Sequence, residues 1–159
     1  MRVTVKNDKT PKVIASLKAM KGAQVLVGIP DLTNGRQGSG IGNAALAYMN
    51  DRGVPSMNIP ARPFLVVGVE SALPKATKAL QVYAAKAFNN PLEIEKGMAA
   101  AGMICRDAVK RRIVSQEGMK APAKRTIELR KARGFAGTKA LIVTGSLLNS
   151  ITYVVERKK

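Results

Sequence analysis

Catalysis near neutral pH draws most often on histidine, and this chain of 159 residues contains none. That absence removes the Ser-His-Asp and Cys-His arrangements, most zinc sites and the commonest general base. The single cysteine, Cys105, cannot form an intramolecular disulfide, so no oxidising compartment is implied. It falls at an apolar helical spacing and reads as a small buried hydrophobe. Glu93 and Glu95 are two apart and do not share a helical face. They suit the positive end of a helix dipole better than acid–base work. Gly40-Ile41-Gly42-Asn43-Ala44-Ala45 matches the G-x-G-x-x-A pattern of dinucleotide sites. Such a turn must follow directly from a strand, yet the nearest strand pattern ends at Ile29 and no βαβ unit follows. No G-x-x-x-x-G-K-[ST] phosphate loop occurs. The expectation is therefore no enzyme, no cofactor and no metal.

What chemistry remains is cationic. Lys and Arg total 27 against 10 Asp and Glu, a net charge of +17. Such an imbalance repels itself in a compact fold and points to an anionic partner: nucleic acid, acidic protein or membrane surface. The excess is densest from 104 to 159, with 14 basic and 4 acidic residues. Arg106, Lys110, Arg111, Lys120, Lys124, Arg125, Arg130, Lys131 and Arg133 could touch phosphates or an acidic neighbour without reading sequence. The plainer reading is a solvated surface. Zinc-finger and RNP patterns are absent, Trp is absent, and three Phe and three Tyr are too few for base stacking.

The elements that must carry these groups follow from periodicity. Val3 and Val5 alternate with polar residues as a short first strand. Thr10 can cap a helix with Pro11 at its first position, running to Lys21 and ending at Gly22. Gln24 to Ile29 reads as a strand. Residues 34–42 form a Gly-rich loop, and Asn43 to Asn50 a short helix, with Gly53 expected at positive φ. Pro55, Pro60 and Pro63 exclude regular helix between 54 and 63. Phe64 to Val69 is a continuous apolar run, either a strand or a helix start. A helix over 71–89 places Leu73, Ala76, Leu80, Tyr83, Ala84 and Ala87 on one side. The clearest helix covers about 92–116, its buried stripe Met98, Ala101, Cys105, Ala108, Val109 and Ile113. A basic loop over 117–139 contains a helical stretch near Arg125 to Arg133. Ser146 to Ser150 is a helical turn capped by Thr144 or Ser146, and 151–155 a strand. The class is α+β: one domain over 1–159, four or five helices and roughly four strands, with a small antiparallel sheet packed against helices. The chain shows no signal peptide and no run of about 18 apolar residues, so no membrane span is expected and the protein starts in a cytoplasm.

Two segments carry a family likeness. The first is Leu46-Ala47-Tyr48-Met49-Asn50-Asp51-Arg52-Gly53 followed by Asn58-Ile59-Pro60-Ala61-Arg62-Pro63-Phe64-Leu65. The second is Thr126-Ile127-Glu128-Leu129-Arg130-Lys131 followed by the run from Ala140 to Val155, with Thr144-Gly145-Ser146-Leu147-Leu148-Asn149-Ser150-Ile151 at its centre. Together they resemble the tail-completion and neck proteins of tailed bacteriophages, also termed minor tail or virion morphogenesis proteins. In that family I-P-A-R-P-F-L follows a short helix, and an L-I-D-T-G-x-L-x-x-S-I segment enters the last strand. The order and spacing agree from about 24 to 155. Asp51-Arg52 stands where the family has an acidic residue and an aromatic, and Val143 where Asp is common.

The resemblance implies a structural virion protein at the head–tail junction, assembled in the host cytoplasm. It implies a ring of copies of itself, usually hexameric, between the tail tube or terminator and the head connector. Contact with packaged DNA would be non-specific, and no membrane is involved. Tail completion, terminator and head-side stopper stay open within this class. The rival from another class is a small basic nucleic-acid-binding protein.

The motif residues have physical roles to test. Pro60 and Pro63 fix the backbone before assembly at little entropic cost. Arg62 between them is expected to meet a carboxylate, in the same chain or a neighbour, or else to be solvated in an intrachain bend. Ile59, Phe64 and Leu65 would anchor the bend, and Thr144, Gly145, Leu148 and Ser150 would shape the second turn. Residues 34–42 and 117–139 are the segments expected to order on docking.

Overall fold

The computed structural model describes residues 9–35 and 40–157. The element order is α1 (Thr10–Met20), β1 (Ala23–Gly28), α2 (Asn43–Arg52), α3 (Leu65–Ala87), α4 (Glu93–Ser115), α5 (Lys124–Ala132), α6 (Ser146–Ser150) and β2 (Thr152–Arg157). The fold is α+β, as the sequence pattern indicates. The expected Val3–Val5 strand lies outside the described residues.

Helices α3 and α4 form the frame. Each has 23 residues, about 34 Å of helix. Gly68 lies against Val109 and Gly97 against Tyr83, so the two run antiparallel. Their contact is made by small side chains: Ala72 and Ala76 of α3 bury against Ala101, Cys105 and Ala108 of α4. A Cβ at Gly68 would sit 2.8 Å from the Val109 Cα, and one at Gly97 would sit 2.6 Å from the Tyr83 Cβ. The close approach thus depends on residues without side chains. Leu73, expected inside, is 49% exposed instead. The buried α3 residues, Gly68, Ala72, Ala76 and Ala87, follow a face selected for size rather than hydrophobicity.

Strands β1 and β2 pair antiparallel, with Val25 opposite Val155 and Val27 opposite Tyr153. Among the described residues the sheet has these two strands, at the positions expected for 24–29 and 151–155. Both strands pack on α4. Tyr153 covers Gly102, where a Cβ would lie 2.4 Å from its ring. Arg157 reaches Glu95 at 2.8 Å. The apolar run from Phe64 is the start of α3 and not a strand.

Two helix starts differ from the sequence reading. Thr10 is the first residue of α1, which moves the cap position to Lys9, and α3 starts at Leu65 where residue 71 was expected. Helix α4 matches the expected span of about 92–116, with Glu93 and Glu95 in its first turn. Among the described residues, no helix is long and apolar enough to cross a membrane.

A second cluster holds the outer segments to the hairpin. Ala47 of α2, Phe64, Val109 and Ile113 of α4, Leu147 of α6 and Ile151 pack together, with Leu65 and Leu148 against them. The two motif segments, far apart in sequence, therefore share one piece of core.

Candidate functional site

The first motif begins where α2 must stop. Gly53 adopts φ +78°, and a Cβ there would lie 2.6 Å from the Ala61 nitrogen. Positive φ and close backbone approach both demand glycine at this point. An isolated bridge between Val54 and Ile59 then closes a tight loop, with Asn58 in the left-handed region. The chain returns past the end of α2, where the Arg62 N–H donates to the Asn50 carbonyl at 2.8 Å. Phe64, 1% exposed, plunges into the core. Asp51, at the end of α2, accepts the backbone N–H groups of Phe64 and Leu65, each at 2.9 Å. Its carboxylate thereby satisfies orphan donors at the positive end of α3.

The second wall begins at the end of α4. Gln116 takes a left-handed φ of 61° and turns its amide onto Ala140. Its Nε2 donates to the Ala140 carbonyl at 3.0 Å, and its Oε1 accepts the Ala140 N–H at 2.7 Å. Gln116 Nε2 also lies against the Ile113 carbonyl. The basic arm loops out between these two points. Arg130 of α5 draws it back by donating to the Lys139 carbonyl at 2.8 Å, and Lys139 donates to the Val114 carbonyl at 2.9 Å. Gly145, at φ +79°, then starts α6. The Thr144 hydroxyl accepts the Ser146 N–H at 3.3 Å, so Thr144 supports this turn and Ser146 does not cap it. The Ser146 hydroxyl instead meets buried Asn43. Ser150 is buried and donates to Leu147, while its carbonyl accepts Thr33 at 2.8 Å.

Between the two walls lies a cleft of about 900 Å³. Ile59, Pro60 and Arg62 line one side, and Leu141, Thr144, Gly145 and Leu147 the other. Pro63, Phe64, Leu65, Leu148 and Ser150 do not line it; Phe64, Leu65 and Leu148 join its walls to the core, and Ser150 bonds Leu147 and Thr33. The charged lining residues are Arg52, Arg62, Lys120 and Arg130, with no Asp or Glu. The volume is in the range of about 300–1,000 Å³ that ligand clefts occupy.

Arg62 is the central group. It is 9% exposed. Its Nε donates to the Lys120 carbonyl at 2.8 Å, and its Nη1 reaches the Asn50 side-chain oxygen at 3.4 Å. The carboxylate contact expected within the chain is not made among the described residues; neutral oxygens stand in its place. Burial pushes the Arg62 pKa down from its usual value, and the nearby Arg130 guanidinium adds to that. Arg62 is thus a buried charge in this cleft held by neutral oxygens alone, with no acid in the lining.

The other basic candidates lie elsewhere. Arg106 contacts Asp107 at 2.7 Å and stands over the Tyr153 ring, 5.8 Å from its centre. Lys110 is half-buried and Arg111 exposed on α4. Lys124, Arg125, Lys131 and Arg133 are exposed on or beside α5, which buries no residue. Of the nine basic residues singled out as partner contacts, Lys120 and Arg130 line the cleft. The loop over 34–42 is tied down at its described flank, where the Asn34 side chain accepts the Ala44 N–H at 2.8 Å.

Asp51, Asn43 and Gln116 matter to this architecture and escaped the sequence reading. A capping carboxylate, a buried amide (Asn43) and a half-buried one (Gln116) have no spacing signature of their own. Among the described residues no group of three or more His, Cys, Asp or Glu could hold a metal ion. Cys105 is buried in the hairpin, where burial raises its thiol pKa. No family model, curated protein or solved structure matches the chain.

Proposed function

We propose that this chain is a structural assembly protein of a tailed bacteriophage, a subunit of the ring that joins tail to head, with tail completion as its role. The observation that carries the reading is the convergence of the two family-like segments. Phe64 from the first packs with Leu147 and Ile151 from the second, and Ile59 to Arg62 face Thr144 to Leu147 across one cleft. Segments that resemble one family in order and spacing, and that also build one structural unit, support a common origin better than either does alone. The lack of histidine in the sequence, and of any metal-holding cluster of acids among the described residues, fits a role in assembly.

A specific observation also favours a second reading, non-specific nucleic-acid binding. Helix α5 carries Lys124, Arg125, Arg130 and Lys131 against one acid, Glu128, with no buried residue. Light scattering at moderate salt, on the protein alone and mixed with its tail tubes, separates the two. A closed ring or capped tube ends are expected. A strict monomer that ignores tubes and binds DNA with steep salt dependence would overturn the ring and support the second reading.

A further inference from the structure

We propose that the cleft between the Pro60–Pro63 bend and α5 docks a short acidic segment of a partner protein. One of the segment's carboxylates is held by Arg62 and Arg130, and its apolar side chains lie on Ile59 and Leu147. The inference deepens the structural reading above by giving the chemistry of one partner.

Charge complementarity is the first argument. Arg52, Arg62, Lys120 and Arg130 line the cleft and no acid does. Arg62 spends its Nε and Nη1 on neutral oxygens, one of them distant. Arg130 likewise bonds only carbonyls, those of Gly137 and Lys139. Arg62 and Arg130 line the same cleft, and a carboxylate shared between two guanidiniums makes charge-assisted bonds where neutral oxygens now stand.

Shape and composition choose protein over nucleic acid. Arg62 is recessed, whereas a duplex presents its phosphates on a broad convex surface. The floor is apolar, with Leu46, Ile59 and Leu147, and no aromatic side chain lines it for base stacking. An extended peptide with alternating acidic and apolar residues matches both features.

A second copy of this chain is a poor occupant. Glu93 and Glu95 are its only closely spaced acids, and they already pair with Lys96 and Arg157. Asp51 is spent on α3, while Asp107 and Glu117 contact Arg106 and Arg112. Asp31, Glu70, Glu128 and Glu156 stand singly along the chain, so a segment alternating acidic with apolar residues comes from a different protein.

The test is fluorescence anisotropy with the full chain and an array of short peptides alternating Glu with Leu or Ile. The same peptides with Gln for Glu, and a duplex DNA, serve as comparison probes. Two variants probe the cleft. Arg130→Gln removes one guanidinium. Ala123→Asp adds a carboxylate to the lining at the cap position of α5, where Asp favours the helix and the fold is kept.

The expected result is saturable binding of Glu peptides and at least about tenfold weaker binding of their Gln counterparts. Each variant should weaken the Glu peptides by about the same factor; Ala123→Asp, which breaks no tie of the arm, should do so with an unchanged melting curve. Glu and Gln peptides binding alike would overturn the proposal. So would Ala123→Asp lowering duplex DNA binding while leaving peptide binding intact. The mass of each variant's assembly is read in parallel. Rings without peptide binding sink the cleft inference alone, and peptide binding by a protein that never forms rings or caps tubes sinks the ring reading alone.

Discussion

Helix α4 buries eight residues, while α5, which follows it after residues 116–123, buries none. The first is held by van der Waals contact along a face of small residues, close enough that Gly68 and Gly97 leave no room for a Cβ. The second is held by polar ties at its ends, chiefly Arg130 to Lys139 and Gln116 to Ala140. Dispersion summed over a tight interface resists local opening, whereas an arm whose helix buries no residue and which hangs on a few hydrogen bonds opens more readily. The hairpin therefore sets the stability of the molecule. Local opening of the arm need not disturb it.

The sharpest way to break this contrast is to spoil the hairpin. Gly68→Leu places a branched side chain against the Val109 backbone of α4. Overpacking of this kind should cost about 3 kcal/mol, read as a lowered denaturant midpoint at unchanged slope. If the midpoint holds, the close helix contact is not what stabilises the frame.

An intermediate effect is expected where the two regions join. Gln116 makes both of its Ala140 contacts through one side chain. Gln116→Ala strands the Ala140 backbone groups, Ala140 being 1% exposed, and should cost about 1–3 kcal/mol. It should also speed tryptic cleavage at Lys124 and Arg125, leaving α4 resistant. Equal acceleration along both helices would mean that the arm and hairpin open as one unit.

How much of this could be read from the chain depends on which force shapes each part. The buried face of α4 was legible because Ala101, Cys105, Ala108 and Ile113 recur at helical spacing, and hydrophobicity tracks burial there. On α3 the same rule misleads. Leu73 has the stronger apolar signal, but the tight contact selects Gly68, Ala72 and Ala76 for size. The bend was legible at Pro60 and Pro63, whose backbone preferences are intrinsic, and at Gly53, where positive φ was expected and found. The environment of Arg62 was not. Its neighbours Lys120 and Asn50 supply a carbonyl and an amide oxygen, and a main-chain acceptor leaves no mark on residue identity. Nor could the apolar run from Phe64 reveal its own state. What favours the helix is Asp51, a carboxylate thirteen residues upstream of Phe64 that accepts its first N–H groups.

The smallest expected effect is on the outer face of α5. Lys124 and Lys131 are exposed, make no ion pair among the described residues, and cover nothing buried. The double change Lys124→Ala, Lys131→Ala should move stability by no more than about 0.5 kcal/mol, since alanine favours helix and no packed contact is lost. The positive field around the arm should nevertheless fall, and with it the salt sensitivity of any polyanion contact. Heparin retention measured at rising ionic strength reads that loss directly, as a shallower slope by up to about two charges. A large fall in melting temperature would instead show the lysines acting as struts, and the division between a stabilising hairpin and an adaptable arm would not hold.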